Sequence, residues 1–122
     1  MVIKNAQILG ASLHFVDPYG LNIKVSLDCN GEILDIGSYC VGHGSLHTED
    51  IENIVGTKCA SETMSRIMWA VGVTSWESLK GKYCRVKITN EWEGKITSIG
   101  HILSDKWFDI QEYMERTRDK VN

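Results

Sequence analysis

LNIKVSLDCNGEILDIGSYC, residues 21–40, decides the fold. Its first half alternates with a period of two, which predicts a half-buried strand. Leu21, Ile23, Val25, Leu27 and Cys29 fall on the inward face, while Asn22, Lys24, Ser26 and Asp28 face water. Asn30-Gly31 then supplies the two positive-φ residues of a two-residue hairpin. EILDIGSYC returns as the next strand. Upstream, AQILGASLHF (residues 6–15) reads as extended and Pro18-Tyr19-Gly20 as a turn. Together these predict a three-stranded antiparallel meander.

The pattern changes after residue 40. VGHGSLH (41–47) is glycine-rich and irregular, which places it in a surface loop. TEDIENIVG (48–56) predicts a short helix with Thr48 as N-cap, Glu49 and Asp50 at the positive end of the dipole, and Gly56 as its stop. CASETMSRIMWAVG (59–72) is the clearest helix. Ala60, Met64, Ile67, Met68 and Val71 recur at helical spacing, and Gly72 stands at C′. Thr74 and Glu77 have capping-box spacing for one further turn, ended by Gly81.

KYCRVKIT (82–89) and GKITSIGHIL (94–103) are two more strands joined through NEWEG. Gly100 reads as a bulge, because Ile96, Ile99 and Ile102 break the period of two. DKWFDIQEYMERTRDK (105–120) predicts a closing helix with Phe108, Tyr113 and Met114 between charges. Strands, helices, strands and a last helix make an α+β protein rather than an alternating α/β one. The chain of 122 residues is expected to be one domain with a real core.

Composition narrows the function. A net charge of −3 argues against binding duplex nucleic acid through its phosphate backbone, which needs a broad basic surface. No run of 18 apolar residues exists, and the N-terminal segment MVIKNAQILGASLHF lacks a signal peptide's apolar core. The expected setting is cytoplasmic, with no membrane span and with Cys29, Cys40, Cys59 and Cys84 as thiols. Small buried hydrophobes is the role expected of them.

Catalytic signatures are missing from the sequence: it has no GxSxG, HExxH, P-loop or GxGxxG. A non-enzymatic protein without a cofactor is expected. Cys40, His43, His47 and Cys59 offer two nitrogens and two sulfurs, a set that zinc accepts tetrahedrally. Their spacing departs from the usual zinc modules, which place two cysteines close together, and the alternative is a solvated loop after a strand end. His14 and His101 stand isolated in predicted strands and read as packed or surface histidines.

The strand 82–89 carries the strongest binding signal. Cys84, Val86 and Ile88 face the core, so Tyr83, Arg85 and Lys87 stand in a row on the other face, about 7 Å apart by strand geometry. An aromatic ring stacks on a base, and a guanidinium grips phosphate through two parallel hydrogen bonds. Asn90 and Trp92 follow at the strand's end and complete a nucleotide-sized group. A plain solvated sheet face is the alternative. In the last helix Arg116 and Lys120 share a side, with Arg118 elsewhere on the wheel, an arrangement that also suits the helix dipole. Trp107, Phe108 and Tyr113 predict a two-fold interface built on this helix.

GVTSWESLKGKYCRV (72–86) followed by ITSIGHILSDKWFDI (96–110) resembles small proteins of bacteriophages and prophages. The whole layout, most closely over residues 72–110, is similar to the first described family of anti-Thoeris sponges. The resemblance implies a protein that binds the cyclic ADP-ribose isomer made by a bacterial TIR-domain enzyme and holds it intact, so that defence never fires. It implies a homo-oligomer with the signal between protomers, and in some members a separate site for cyclic oligonucleotides. It further implies a pocket of adenine-stacking aromatic, asparagine and C-terminal arginines, whose counterparts here are Tyr83, Asn90 or Trp92, and Arg116 with Arg118 or Lys120. The competing expectation is a protein-interaction module that inhibits a host defence or regulatory protein directly.

Overall fold

The computed structural model describes residues 1–17, 20–89 and 94–121, apart from the side chains of Ser38, Cys40 and residues 118–121. Its first three strands are β1 (Val2–Val16), β2 (Gly20–Cys29) and β3 (Glu32–Cys40). The β2–β3 hairpin turns where the sequence asks for it, with Asn30 at φ 54° and Gly31 at φ 90°. The Asp28 carboxylate closes the turn by accepting from the Gly31 N–H at 2.7 Å.

Three more strands, β6 (Tyr83–Ile88), β7 (Ile96–Gly100) and β8 (Trp107–Asp109), extend the same sheet. The ladder runs β3-β2-β1-β6-β7-β8 with every pair antiparallel. Helices α1 (Lys58–Val71) and α2 (Ile110–Val121) accompany it, so the protein is α+β with a meander. A separate two-stranded ribbon pairs β4 (Gly42–His43) with β5 (Val55–Gly56).

β1 is longer than the alternation around AQILGASLHF suggested, and it serves two ladders. Val2–Gln7 pair with β6, whereas Gln7–Val16 pair with β2. Between them the register shifts from Ile8 to Gly10, leaving Leu9 as the extra residue of a bulge. The bend curls the sheet until β3 and β7 come within 8 Å of each other, Cα to Cα, although they are not ladder neighbours. Ile8, Ile23, Val25, Leu27, Cys84, Val86, Ile99 and Phe108 fill the concave side together with Ile67 and Ala70 of α1.

Several local expectations are corrected. Asn22 is buried at 6% exposure instead of facing water, and its Nδ2 donates to the Gly20 carbonyl at 3.1 Å, which satisfies the amide. Residues 48–56 form one 3-10 turn, Ile51–Asn53, capped by Asp50 rather than Thr48. Gly42 and Gly56 pair with each other in the ribbon, so one is not loop and the other is not a helix stop. The turn Glu77–Leu79 is held by Ser75, whose Oγ accepts from the Ser78 N–H, not by Thr74. In β7 the register breaks between Ile96 and Ser98, while Gly100 pairs regularly with Arg85.

α1 begins at Thr57, whose hydroxyl accepts from the Ala60 N–H and donates to the Val41 carbonyl, tying the helix to the end of β3. It ends at Gly72, φ 92°, as its position after Val71 requires. Its buried face is Thr63, Ile67, Ala70 and Val71, rotated from the methionine stripe of the sequence reading. The closing helix starts later than expected. Trp107–Asp109 are strand, and Asp109 caps α2 by accepting from the Glu112 N–H at 2.9 Å. Phe108 and Tyr113, expected at a two-fold interface, are 6% and 5% exposed within the protomer. The Tyr113 hydroxyl donates to Glu62 at 3.0 Å, and Arg66 holds the other oxygen of that carboxylate at 3.1 Å.

Two substitutions probe this core. Val86→Asp places a charge at a site with 0% exposure and should cost more than about 3 kcal/mol, enough to unfold the protein by circular dichroism. Alkaline pH tests the buried acids. Burial, with Cys29 adding to it, pushes the Cys84 thiol from 9.0 up to about 12. Burial and then the bond to Glu62 push the Tyr113 phenol from 10.0 up to about 12. The fold holds both groups neutral, so their stabilisation is complete below pH 9 and is lost as pH rises toward 12. Denaturant titrations across that window should show the loss, and Cys84→Ala combined with Tyr113→Phe should reduce it.

Candidate functional site

The alternation of β6 places Cys84, Val86 and Ile88 in the core, all at or below 3% exposure. Tyr83, Arg85 and Lys87 consequently lie on the convex face, where sheet pairing sets their neighbours. Arg85 sits between Asn5 of β1 and Gly100 of β7, and Gly100 in turn pairs with Trp107 of β8. Lys87 sits between Ile3 and Ser98.

Trp107 organises this face. A Cβ on Gly100 would lie 2.6 Å from the indole, so the ring rests directly on the glycine backbone. Only a residue without a side chain permits that approach. The Arg85 guanidinium stands 4.9 Å from the indole centroid and the Lys87 ammonium 4.4 Å from it. Next in the chain, Lys106 lies 5.2 Å from the ring of Trp69 on α1. Each such contact is worth about 0.5–2 kcal/mol, depending on how far the cation is desolvated. Among the described residues, none of these three cations forms an ion pair with a carboxylate.

Arg85 also holds the loop between β7 and β8. Its Nε donates to the His101 carbonyl and its Nη2 to the Ser104 carbonyl, both at 2.7 Å. Those two bonds occupy one side of the guanidinium, so Arg85 does not present the free bidentate fork expected of it. His101 completes the loop from within. Its Nδ1 accepts from the N–H groups of Leu103 at 3.1 Å and Ser104 at 2.9 Å, which places the ring proton on Nε2. On the opposite side the ring packs 3.2 Å from where a Gly72 side chain would begin. The result is a preformed loop with Leu103 projecting at 86% exposure.

Tyr83 is 60% exposed at the start of the row, an open aromatic surface. Arg116 is exposed on α2 and makes no hydrogen bond or ion pair with a described residue. Asn90, Trp92 and the side chains of Arg118 and Lys120 lie outside the described residues. The possible zinc ligands are dispersed in role. His43 is exposed on β4, His47 pairs with Asp17 at 3.3 Å, and Cys59 Sγ packs 3.7 Å from Met114 Sδ. The Cys40 side chain lies outside the described residues, and among those described no three His, Cys, Asp or Glu groups are arranged to hold a metal.

Sequence reasoning placed Trp107 in a helix and read His101 as a bystander. The available signal was Gly100, a glycine inside a strand, which marks close approach as readily as a bulge. Chemically, the face offers cations and aromatic rings. Among the described residues the buried thiols, Cys29 and Cys84, are on the other side of the sheet, and burial pushes both up.

Gly100→Ala should force the indole off the sheet and lower stability by about 1–3 kcal/mol. Thermal melts and tryptophan emission should both shift, and an unchanged melt would mean the ring does not rest there. Arg85→Lys removes the pair of carbonyl bonds while keeping the charge. Amides of residues 101–106 should then exchange with solvent faster, with the β1–β2 amides unaffected.

No family model, curated protein or solved structure matches this chain.

Proposed function

We propose that this chain is a phage-encoded, non-enzymatic sponge that binds a cyclic ADP-ribose-type nucleotide and keeps it intact, blocking Thoeris defence. The observation that carries this reading is the pair Arg85 and Lys87, two cations set against the Trp107 indole and, among the described residues, matched with no carboxylate. In a chain of net charge −3, such a group is unexpected unless an anion is to be met. A diphosphate supplies the anion, and Tyr83 supplies an open ring for its base. Resemblance over residues 72–110 supports the same ligand class, with Asn90, Trp92, Arg116, Arg118 and Lys120 as further contacts and cyclic oligonucleotides as a second class.

Sequestration works by mass action and needs nanomolar binding, about 12 kcal/mol. A stacked base and two or three charge-assisted phosphate contacts reach that scale when a second protomer closes the site and excludes water. The proposal therefore includes a homo-oligomer, acting in the cytoplasm of the infected cell. No helix among the described residues is long and apolar enough to cross a membrane.

A second reading is favoured by one feature, the Leu103 tip held out by Arg85 and His101. A loop held in one conformation loses little entropy on docking, which suits an inhibitor that inserts this apolar tip into a host protein.

The deciding experiment incubates the protein with the product mixture of an activated TIR enzyme, removes free material, heats the complex and identifies what is released by mass spectrometry. Intact cyclic ADP-ribose isomer, appearing only after heating, is the expected outcome. Lys87→Ala should weaken binding about tenfold, the equivalent of 1.4 kcal/mol, without changing the fold. Signal left free in the filtrate points to the docking inhibitor, and a cleaved product to an enzyme.

A further inference from the structure

The second half of β1 is an open sheet edge. Its pairing with β6 ends at Gln7, and the last backbone bonds on that side join Ile8 to Lys82 at 2.8 Å and Gly81 to Ile8 at 2.7 Å. From Gly10 to Val16 the strand has β2 on one side and, among the described residues, no strand on the other. In an antiparallel ladder alternate residues direct N–H and C=O outward, so these seven residues present about 23 Å of backbone that no described strand matches.

Sheet edges are normally blunted by charge, proline, shortness or cover. β3 carries Glu32 and Asp35 along its edge, and β8 is three residues long before it turns into α2. The stretch Leu9–Val16, LGASLHFV, has no lysine, arginine, carboxylate or proline. Leu9, Leu13 and Val16 are 40%, 42% and 38% exposed along it.

We infer that this edge pairs with the same edge of a second copy, β1 against β1 antiparallel, around a two-fold axis at Leu13. The strand's own residues select that partner. Centred on Leu13, such pairing sets Phe15 opposite Ala11 and Val16 opposite Gly10, a large side chain facing a small one each time. His14 falls opposite Ser12, repeating across the axis a contact those groups already make within the strand at 3.3 Å. The two Leu13 side chains meet at the centre. No charged residue faces another of like sign, because the segment contains none. The interface is isologous and closes at two copies for this edge, joining two meanders into one continuous sheet, β3-β2-β1-β1-β2-β3. It does not involve the face of Arg85 and Lys87, and it stands whichever ligand that face takes.

Sedimentation equilibrium of the full chain without nucleotide tests it. The expected mass is twice 13.7 kDa or a higher even multiple, and Leu13→Lys, which sets two ammonium groups together on the axis, should halve it. Leu13 is already partly exposed, so the variant should keep the wild-type dichroism spectrum. Should it fail to fold, Leu13→Cys gives an independent reading. Mild oxidation should link two copies through that cysteine, with no linkage in the parent protein under the same conditions. A monomeric parent overturns the inference, as does an assembly whose mass Leu13→Lys leaves unchanged or a Leu13→Cys variant that does not cross-link.

Discussion

The structure depends on one strand belonging to two ladders. β1 gives its first residues to β6 and the rest to β2, and the Leu9 bulge lets it bend between them. Without that bend the meander and the late strands form a flat sheet whose apolar face two short helices cannot cover. With it, the sheet wraps around Ile8, Val25, Leu27, Cys84, Val86 and Ile99, and α1 and α2 complete the enclosure. The same division leaves half of β1 with an unused edge. A device that closes the core thus also opens a surface.

On the convex side a smaller constraint has a comparable reach. Gly100 has no side chain, so Trp107 lies flat on the sheet and two cations gather on its ring. Arg85, placed by that stacking, then bonds two carbonyls and shapes residues 101–106. A guanidinium already engaged on one side is a less flexible ligand group than a free one. Its remaining N–H groups are held in fixed directions by those two bonds.

Much of this was legible in the chain. Period-two alternation from residue 21 to 29, Asn30-Gly31, and the opposite facing of Val86 and Arg85 all follow from short-range rules, and the fold class followed from their order. Errors came where a distant residue, or a better-placed neighbour, overrode the expected local preference. DKWFDI has a helix former's mixture of charge and apolar residues, yet Trp107–Asp109 pair with β7 because Gly100 receives the indole. Asn22 fits the polar face of an alternating strand, but the Gly20 carbonyl satisfies its amide and permits burial. Thr48 and Thr74 have the spacing of caps, and neighbouring Asp50 and Ser75 bind the open N–H groups instead.

By itself, then, the sequence determined the first three strands, β6, the main helix and the tight hairpin, since each depends on residues a few positions apart and on φ angles that only certain residues adopt. Tertiary structure alone decided how the meander joins the later strands, through β1 and β6. Gln7 meets Tyr83, and Arg85 reaches the carbonyls of His101 and Ser104. Those pairings set the aromatic–cation face and the open edge of β1, and no local period encodes them. Backbone hydrogen bonding is indifferent to side-chain identity, so strand order emerges only when the whole apolar surface is buried at once.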